Sequence, residues 1–138
     1  LFHSMAFKLK PGNEWLVPAL YAHIVQLSSS LPCPDCSDHA TAMWSSYPFH
    51  VATKQDLVMM LFRGHNVVNR RLGKKLLSIE EHDKRYTLLV FSDICNHYSR
   101  IMLKTDGSDL RLTDSLHRKR AVQELMSLLK THWHCFAR

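Results

Sequence analysis

Apolar residues in this chain recur at intervals of three and four, and strict apolar–polar alternation is rare. Leu20, Ile24, Leu27 and Leu31 form one such stripe. The regular helix carrying it is expected to begin near Val17, because Pro18 is tolerated in a first turn and not deeper. Residues 1–9 read as the end of a helix stopped by Pro11-Gly12, with Asn13 available to cap the next one. A third helix is predicted from Pro34 to Trp44 and is broken by Ser45-Ser46-Tyr47-Pro48. Thr53 then caps a fourth, with Asp56 in the third position of a capping box, and Gly73 ends it after Leu72. The pattern predicts a fifth helix over residues 78–103 and a sixth over residues 113–132. The sixth has an apolar side of Leu116, Val122, Leu125, Leu128 and Leu129 that must be covered. Lys104–Asp109 reads as the loop between them and as the most mobile segment. The fold class expected is all-α.

Composition narrows this only a little. The 138 residues, 46% hydrophobic, suffice for a folded core. Four cysteines are too few for a disulfide-built scaffold. No apolar run reaches membrane-spanning length, and no signal peptide is visible. The first residue is Leu, so an upstream part is expected to precede it. The net charge of +6, with ten histidines uncounted, suits an acidic or phosphate-bearing partner, although scattered lysines and arginines also serve as a solvated surface.

Two stretches carry chemistry. Cys33-Pro34-Asp35-Cys36 sits at a predicted helix start, where unpaired N–H groups favour a thiolate and Pro34 costs no hydrogen bond. Asp35 and Asp38 favour the helix and oppose the thiolate. The spacing alone serves dithiol redox chemistry or half a zinc site. The second stretch is the end of the fourth helix. His65 and Asn69 share a face, Asn66 lies beside them, and Arg70, Arg71, Lys74 and Lys75 come next as a cationic cluster. Amide and imidazole groups beside fixed positive charge suit a heteroaromatic ring joined to a pyrophosphate; a plain solvated face is the competing reading.

Residues 65–74, HNVVNRRLGK, resemble the H-N-x-V-N-x-x-L-G-K block of the Erv/ALR family of FAD-linked sulfhydryl oxidases. Pro32-Cys33-Pro34-Asp35-Cys36 is similar to that family's Pro-Cys-x-x-Cys, with His39 three residues on. Phe2-His3-Ser4-Met5-Ala6 is similar to its Leu-His-x-x-Ala, and Tyr86 stands twelve residues after Lys74, where the family has an aromatic. The resemblance covers residues 1–91. The chain departs from the pattern at Phe62 and Ile79, where many members carry a structural disulfide, so an apolar contact is expected in its place. It departs again at Tyr86, more usually Trp. Divergent members with an added helical region occur in large DNA viruses, which suggests a viral source; infected-cell cytoplasm or nucleus, or the virion, would be the location.

The resemblance implies a four-to-five-helix FAD-binding bundle over residues 1–91 and a helical extension over residues 92–138 that packs on it or on a dimer mate. It implies that Cys33 and Cys36 are catalytic. Cys33 would be the outer sulfur attacked by substrate, and Cys36 the sulfur beside the flavin. His39, His65, Asn66 and Asn69 would line the cofactor, with His3 reaching it from the first helix. Lys74 and Lys84 would meet phosphate or ribose, and Tyr86 would stack on adenine. Expected partners are protein dithiols, such as a thioredoxin-like or virion protein, molecular oxygen and a second copy of the chain; neither membrane nor nucleic acid is expected.

Other residues have duller readings. His23 reads as half-buried, Met59-Met60 as core, and Trp15, Trp44 and Trp133 as core or interface. Cys95 and Cys135 read as free or buried thiols, with a shuttle disulfide as the alternative. Two rival functions stand: a zinc module built on Cys33, Cys36 and histidines, and a nucleic-acid binder using Arg70–Lys75 and His117–Arg120. A thioredoxin-like reductase is disfavoured, because no βαβ pattern surrounds the cysteines.

Overall fold

The computed structural model describes residues 1–46, 50–103 and 112–138. The expected Lys104–Asp109 loop and the Tyr47-Pro48 break lie outside them. The described residues form helices α1 (Phe2–Lys8), α2 (Val17–Ser28), α3 (Pro34–Ser46), α4 (Lys54–Arg71), α5 (Ile79–Thr87), α6 (Phe91–Met102) and α7 (Leu112–Thr131), with short 3-10 turns at Glu14–Leu16 and Trp133–Cys135. The only strand-like pairing among them is an isolated antiparallel bridge between Leu9 and Phe136. The chain is all-α, as its periodicity predicts.

The helix boundaries reflect local chemistry. Thr53 Oγ1 accepts the Asp56 N–H at 3.1 Å while the Asp56 carboxylate accepts the Thr53 N–H at 2.9 Å, so two orphan donors of α4 are satisfied together. Ser78 and Glu81 repeat the device at α5. At the far end of α4, Gly73 takes φ +64°. Its N–H reaches the Arg70 carbonyl at 3.2 Å, and the Lys74 N–H reaches Asn69 at 2.8 Å. This is a Schellman stop, and it needs a residue without Cβ at Gly73. The Leu-Gly-Lys that ends the 65–74 block is therefore a helix terminator in its own right.

One prediction is corrected. The fifth helix is two helices, α5 and α6, broken at residues 88–90 with Val90 extended at ψ 117°. Packing decides this. Phe91 is fully buried, stacked on Trp133 at 5.2 Å and tilted against Phe136, whereas Leu88 and Val90 stay exposed. A continuous apolar run carries no cap signal, so its periodicity hides the turn that aims Phe91 inward.

A single hydrophobic cluster runs through the molecule. Met5, Ala6 and Leu9 of the first segment meet Leu20, Ile24 and Leu27 of α2, Leu57 and Leu61 of α4, Phe91 of α6, and Val122, Leu125 and Leu129 of α7. Helix α7 thus covers its apolar side on this chain's own α2, with Gln26, Glu124 and Arg120 linked along the rim. Leu116 is the exception to the predicted stripe and remains exposed. The C-terminus is tied down as well: the Ala137 N–H donates to Lys8 at 2.7 Å and the Lys10 N–H to Cys135 at 2.8 Å. Cys95 and Cys135 are buried free thiols, and burial pushes Cys95 up to about 11. Arg118 is buried with its Nε donating to the Met102 carbonyl, so it adds nothing to the surface patch expected over His117–Arg120.

Candidate active site

Cys33 immediately precedes Pro34, the first residue of α3, and both Cys33 and Cys36 are exposed free thiols. Cys33 Sγ accepts the Cys36 N–H at 3.3 Å, so one orphan donor of the helix start points at sulfur. The Cys36 thiol is held above its ordinary value, first by its hydrogen bond to Cys33, with Asp35 adding to the rise and Arg71 of α4 opposing it. The tension between acidic residues and thiolate that the sequence suggests is thus present at Cys36, and α4 supplies the counteracting cation.

A cleft of about 250 Å³ lies between α3 and α4, and neither cysteine lines it. Ala40, Met43 and Trp44 form one wall, and Leu61, Gly64 and Val68 the other. His3 and His65 supply its polar lining with Ser28. Cys36 and Ala40 are one helical turn apart on one face of α3, so the dithiol lies one turn along the helix from the cleft wall. Gly64 sets the width. A Cβ there would come within 3.1 Å of the Met43 Cε, so a side chain at this position competes with Met43 for the space.

Behind His65 is an aromatic cluster. His3 Nδ1 is 2.9 Å from His82 Nε2, and His65 Nδ1 is 3.3 Å from His3 Nε2. His3 stacks on Tyr86, with ring centres 4.9 Å apart and planes 9° from parallel. Burial, with His82 and His65 adding to it, pushes His3 down to about 3; burial also lowers His65, so both rings are neutral at physiological pH. Phe62, at a position where many family members carry a disulfide cysteine, packs edge-on against His82 at 5.6 Å.

The remaining residues singled out in the sequence are more scattered. The Asn66 amide is engaged with Leu77, donating at 2.9 Å and accepting at 2.8 Å, and so pins the loop that returns α5 toward His65. Asn69 is half-buried, and its carbonyl serves the Schellman stop. His39 is exposed, with Nδ1 against the Asp35 carbonyl one turn back. Lys74 and Lys84 are exposed at the ends of α4 and α5, and Lys75 pairs with Glu81 at 2.9 Å. Trp44 packs against the core and also lines the cleft, a second role the sequence did not suggest.

With this geometry in place, comparison with known proteins is decisive. The Erv1 / Alr family model matches residues 1–87. The chain belongs to the Erv1 / Alr family. It is 32% identical over 92 residues to the FAD-linked sulfhydryl oxidase of African swine fever virus (isolate Tick/Malawi/Lil 20-1/1983), covering 67% of this chain and 76% of that protein. It is 35% identical over 60 residues to the FAD-linked sulfhydryl oxidase ERV1 of Arabidopsis thaliana, covering 44% of this chain and 31% of the plant protein. No solved structure matches the chain significantly.

The Erv1 / Alr match ends at Thr87, the last residue of α5, and so contains the dithiol, the cleft and the histidine cluster; α6 and α7 lie beyond it. The lining of this Erv1 / Alr cleft suits a flat heteroaromatic ring: apolar walls, a glycine facing Met43, and imidazoles at the polar lining, with exposed cations at the end of α4. His82 is the member of the cluster that sequence reasoning missed. It lies four residues before Tyr86 and so shares its face, a signal that was present in the spacing.

Proposed function

We propose that this chain is an FAD-linked thiol oxidase, taking electron pairs from protein dithiols through Cys33 and Cys36 and passing them by way of FAD to oxygen. The observation that carries the reading is the exposed dithiol at the start of α3, one turn along the helix from an apolar cleft lined by His3 and His65.

The chain's own residues account for thiol exchange. With Cys33 and Cys36 joined, a substrate thiolate attacks Cys33 Sγ, a substrate–Cys33 disulfide forms, and Cys36 leaves as a thiolate. Arg71 favours that leaving group electrostatically. The second substrate thiolate then attacks the substrate sulfur of the mixed disulfide, and Cys33 is released while the substrate disulfide closes. The electron pair now resides in the Cys33–Cys36 dithiol, and the Cys36 N–H stabilises developing charge on Cys33. When bound, FAD supplies a two-electron acceptor that oxygen restores with formation of hydrogen peroxide.

In this reading His65 meets a ring edge, His3 packs near the ring from α1, Tyr86 stacks on adenine, and His39, braced on its own helix, lines the cofactor beside the dithiol. Asn66 acts as a positioning residue through Leu77, and Asn69 lines the cofactor side of α4. Lys74 and Lys84 meet phosphate or ribose. Protein dithiols, such as a thioredoxin-like or virion protein, are the substrates, and a second copy of the chain is the expected partner. The division into a catalytic unit over residues 1–91 and an extension over residues 92–138 belongs to the same proposal. Nothing favours the rivals. Among the described residues no three His, Cys, Asp or Glu side chains are grouped to hold a metal, and no helix is long and apolar enough to cross a membrane.

Cys36→Ser tests the assignment. The variant is expected to keep its flavin and lose thiol-dependent oxygen consumption; unchanged turnover would remove Cys36 from the mechanism.

A further inference from the structure

Three imidazoles and a carboxylate stand in one hydrogen-bonded line. Asp83 Oδ1 lies 3.0 Å from His82 Nδ1, His82 Nε2 lies 2.9 Å from His3 Nδ1, and His3 Nε2 lies 3.3 Å from His65 Nδ1. Every ring nitrogen in the line is engaged except His65 Nε2, which has no hydrogen bond among the described residues.

The chemistry of the ends fixes the direction of the line. An ionised carboxylate only accepts, so His82 Nδ1 carries a hydrogen. A neutral imidazole has one N–H, so His82 Nε2 accepts and His3 must donate from Nδ1. His3 Nε2 then accepts from His65 Nδ1–H, and the line ends in a bare lone pair at His65 Nε2. The opposite direction requires a second proton on His82, with every bond beyond it reversed and His65 ending as a donor. That arrangement places a full positive charge on a ring 1% exposed, between the rings of His3, Phe62 and Tyr86.

We propose that His82, anchored by Asp83, is a positioning residue that sets the tautomer of His65 through His3, so that the cleft offers its ligand a hydrogen-bond acceptor. An unconstrained histidine is free to present either nitrogen in either form. The ligand chemistry selected is a heteroaromatic ring with an N–H edge, whether imide or amine. Only the naming of that ring as part of FAD rests on the oxidase reading; the direction of the line does not. The same line explains how Phe62 and Tyr86 can surround a polar ring: both nitrogens of His82 are satisfied, which makes its burial tolerable.

Tautomers are read directly from long-range proton–nitrogen correlation spectra of the ¹⁵N-labelled full chain at neutral pH. His82, His3 and His65 are all expected in the Nδ1–H form. In His82→Phe, which keeps an aromatic ring in the cluster, His65 is expected to become a mixture of tautomers. The affinity for added flavin is expected to fall severalfold, in proportion to the fraction of His65 that leaves the Nδ1–H form. Asp83→Asn, at a half-exposed position, gives the same test if His82→Phe does not fold, because a carboxamide can donate to His82 and reverse the line. An Nε2–H form at His65 in the wild type, or a His65 tautomer unmoved by the substitution that folds, would overturn the inference. Flavin-free protein showing the Nδ1–H pattern would refute the oxidase reading and leave this inference standing; flavin-loaded protein lacking the pattern would do the reverse.

Discussion

His3 illustrates how one side chain links burial, electrostatics and stability. Its ring is pushed down to about 3, whereas in an unfolded chain it titrates near its ordinary value of 6.5. Below about pH 6.5 the unfolded chain therefore binds a proton that the folded chain refuses, and stability falls as pH falls toward 3. The loss amounts to about 2 kcal/mol by ~pH 5. Hydrogen bonds from Thr53 and Ser78 depress Asp56 and Glu81 below their ordinary values, so their contributions are full above about pH 5 and are lost in stronger acid. The window between about pH 6.5 and 5 thus belongs to His3, with His65, also lowered by burial, adding to it. A melting temperature that drops across it in the wild type and is flatter in His3→Phe is expected from thermal denaturation at several pH values. Among single residues, much of the site was legible in the sequence. The Cys-x-x-Cys spacing and the 65–74 block mark where chemistry is carried, while residue types alone leave a zinc half-site and a solvated face as alternatives. His82 shares a helix face with Tyr86, but that spacing is a weak signal, because a histidine among charged residues looks solvated until the fold turns its face inward.

Elements were read well where local chemistry ends them and poorly where only packing does. The Thr53–Asp56 box, the Gly73 stop and the Pro34 start are all present at the predicted positions. Each is a short-range event that a sequence states in full. The break between α5 and α6 is different in kind, since it depends on Phe91 finding Trp133 and Phe136 at the other end of the C-terminal region. Gly64 shows the same division. Within α4 a glycine costs about 1 kcal/mol relative to alanine, yet here it keeps the second wall of the cleft clear of Met43. Gly64→Leu is expected to preserve helix content, by circular dichroism, while the purified protein loses most of its bound flavin. A variant that retains full flavin would mean that the cleft is not where the ring sits.

The whole molecule is knitted from both ends of its sequence. The stretch matched to the family ends at Thr87, but the core does not: Val122, Leu125 and Leu129 close over α2, and Ala137 and Phe136 pair with the segment after α1. The sequence indicated that the sixth helix had an apolar side to cover but not what would cover it, because amphipathicity gives a face and no partner. A chain truncated after residue 91 is therefore expected to be strongly destabilised or insoluble, since burial of a single large aliphatic side chain contributes about 2 kcal/mol. Solubility and melting of the truncated and full chains compare this directly; a truncated chain as stable as the full one would make α6 and α7 dispensable to the core.

The mechanism depends on a flavin seated in the cleft one turn along α3 from Cys36 and reduced by the dithiol. The decisive experiment is the visible absorption spectrum of the purified full chain, recorded without oxygen before and after a dithiol is added. A protein-bound flavin band is expected, bleaching on addition of dithiol and returning with air. A colourless protein, even after incubation with FAD, or a bound flavin that dithiol cannot reduce, would refute the mechanism.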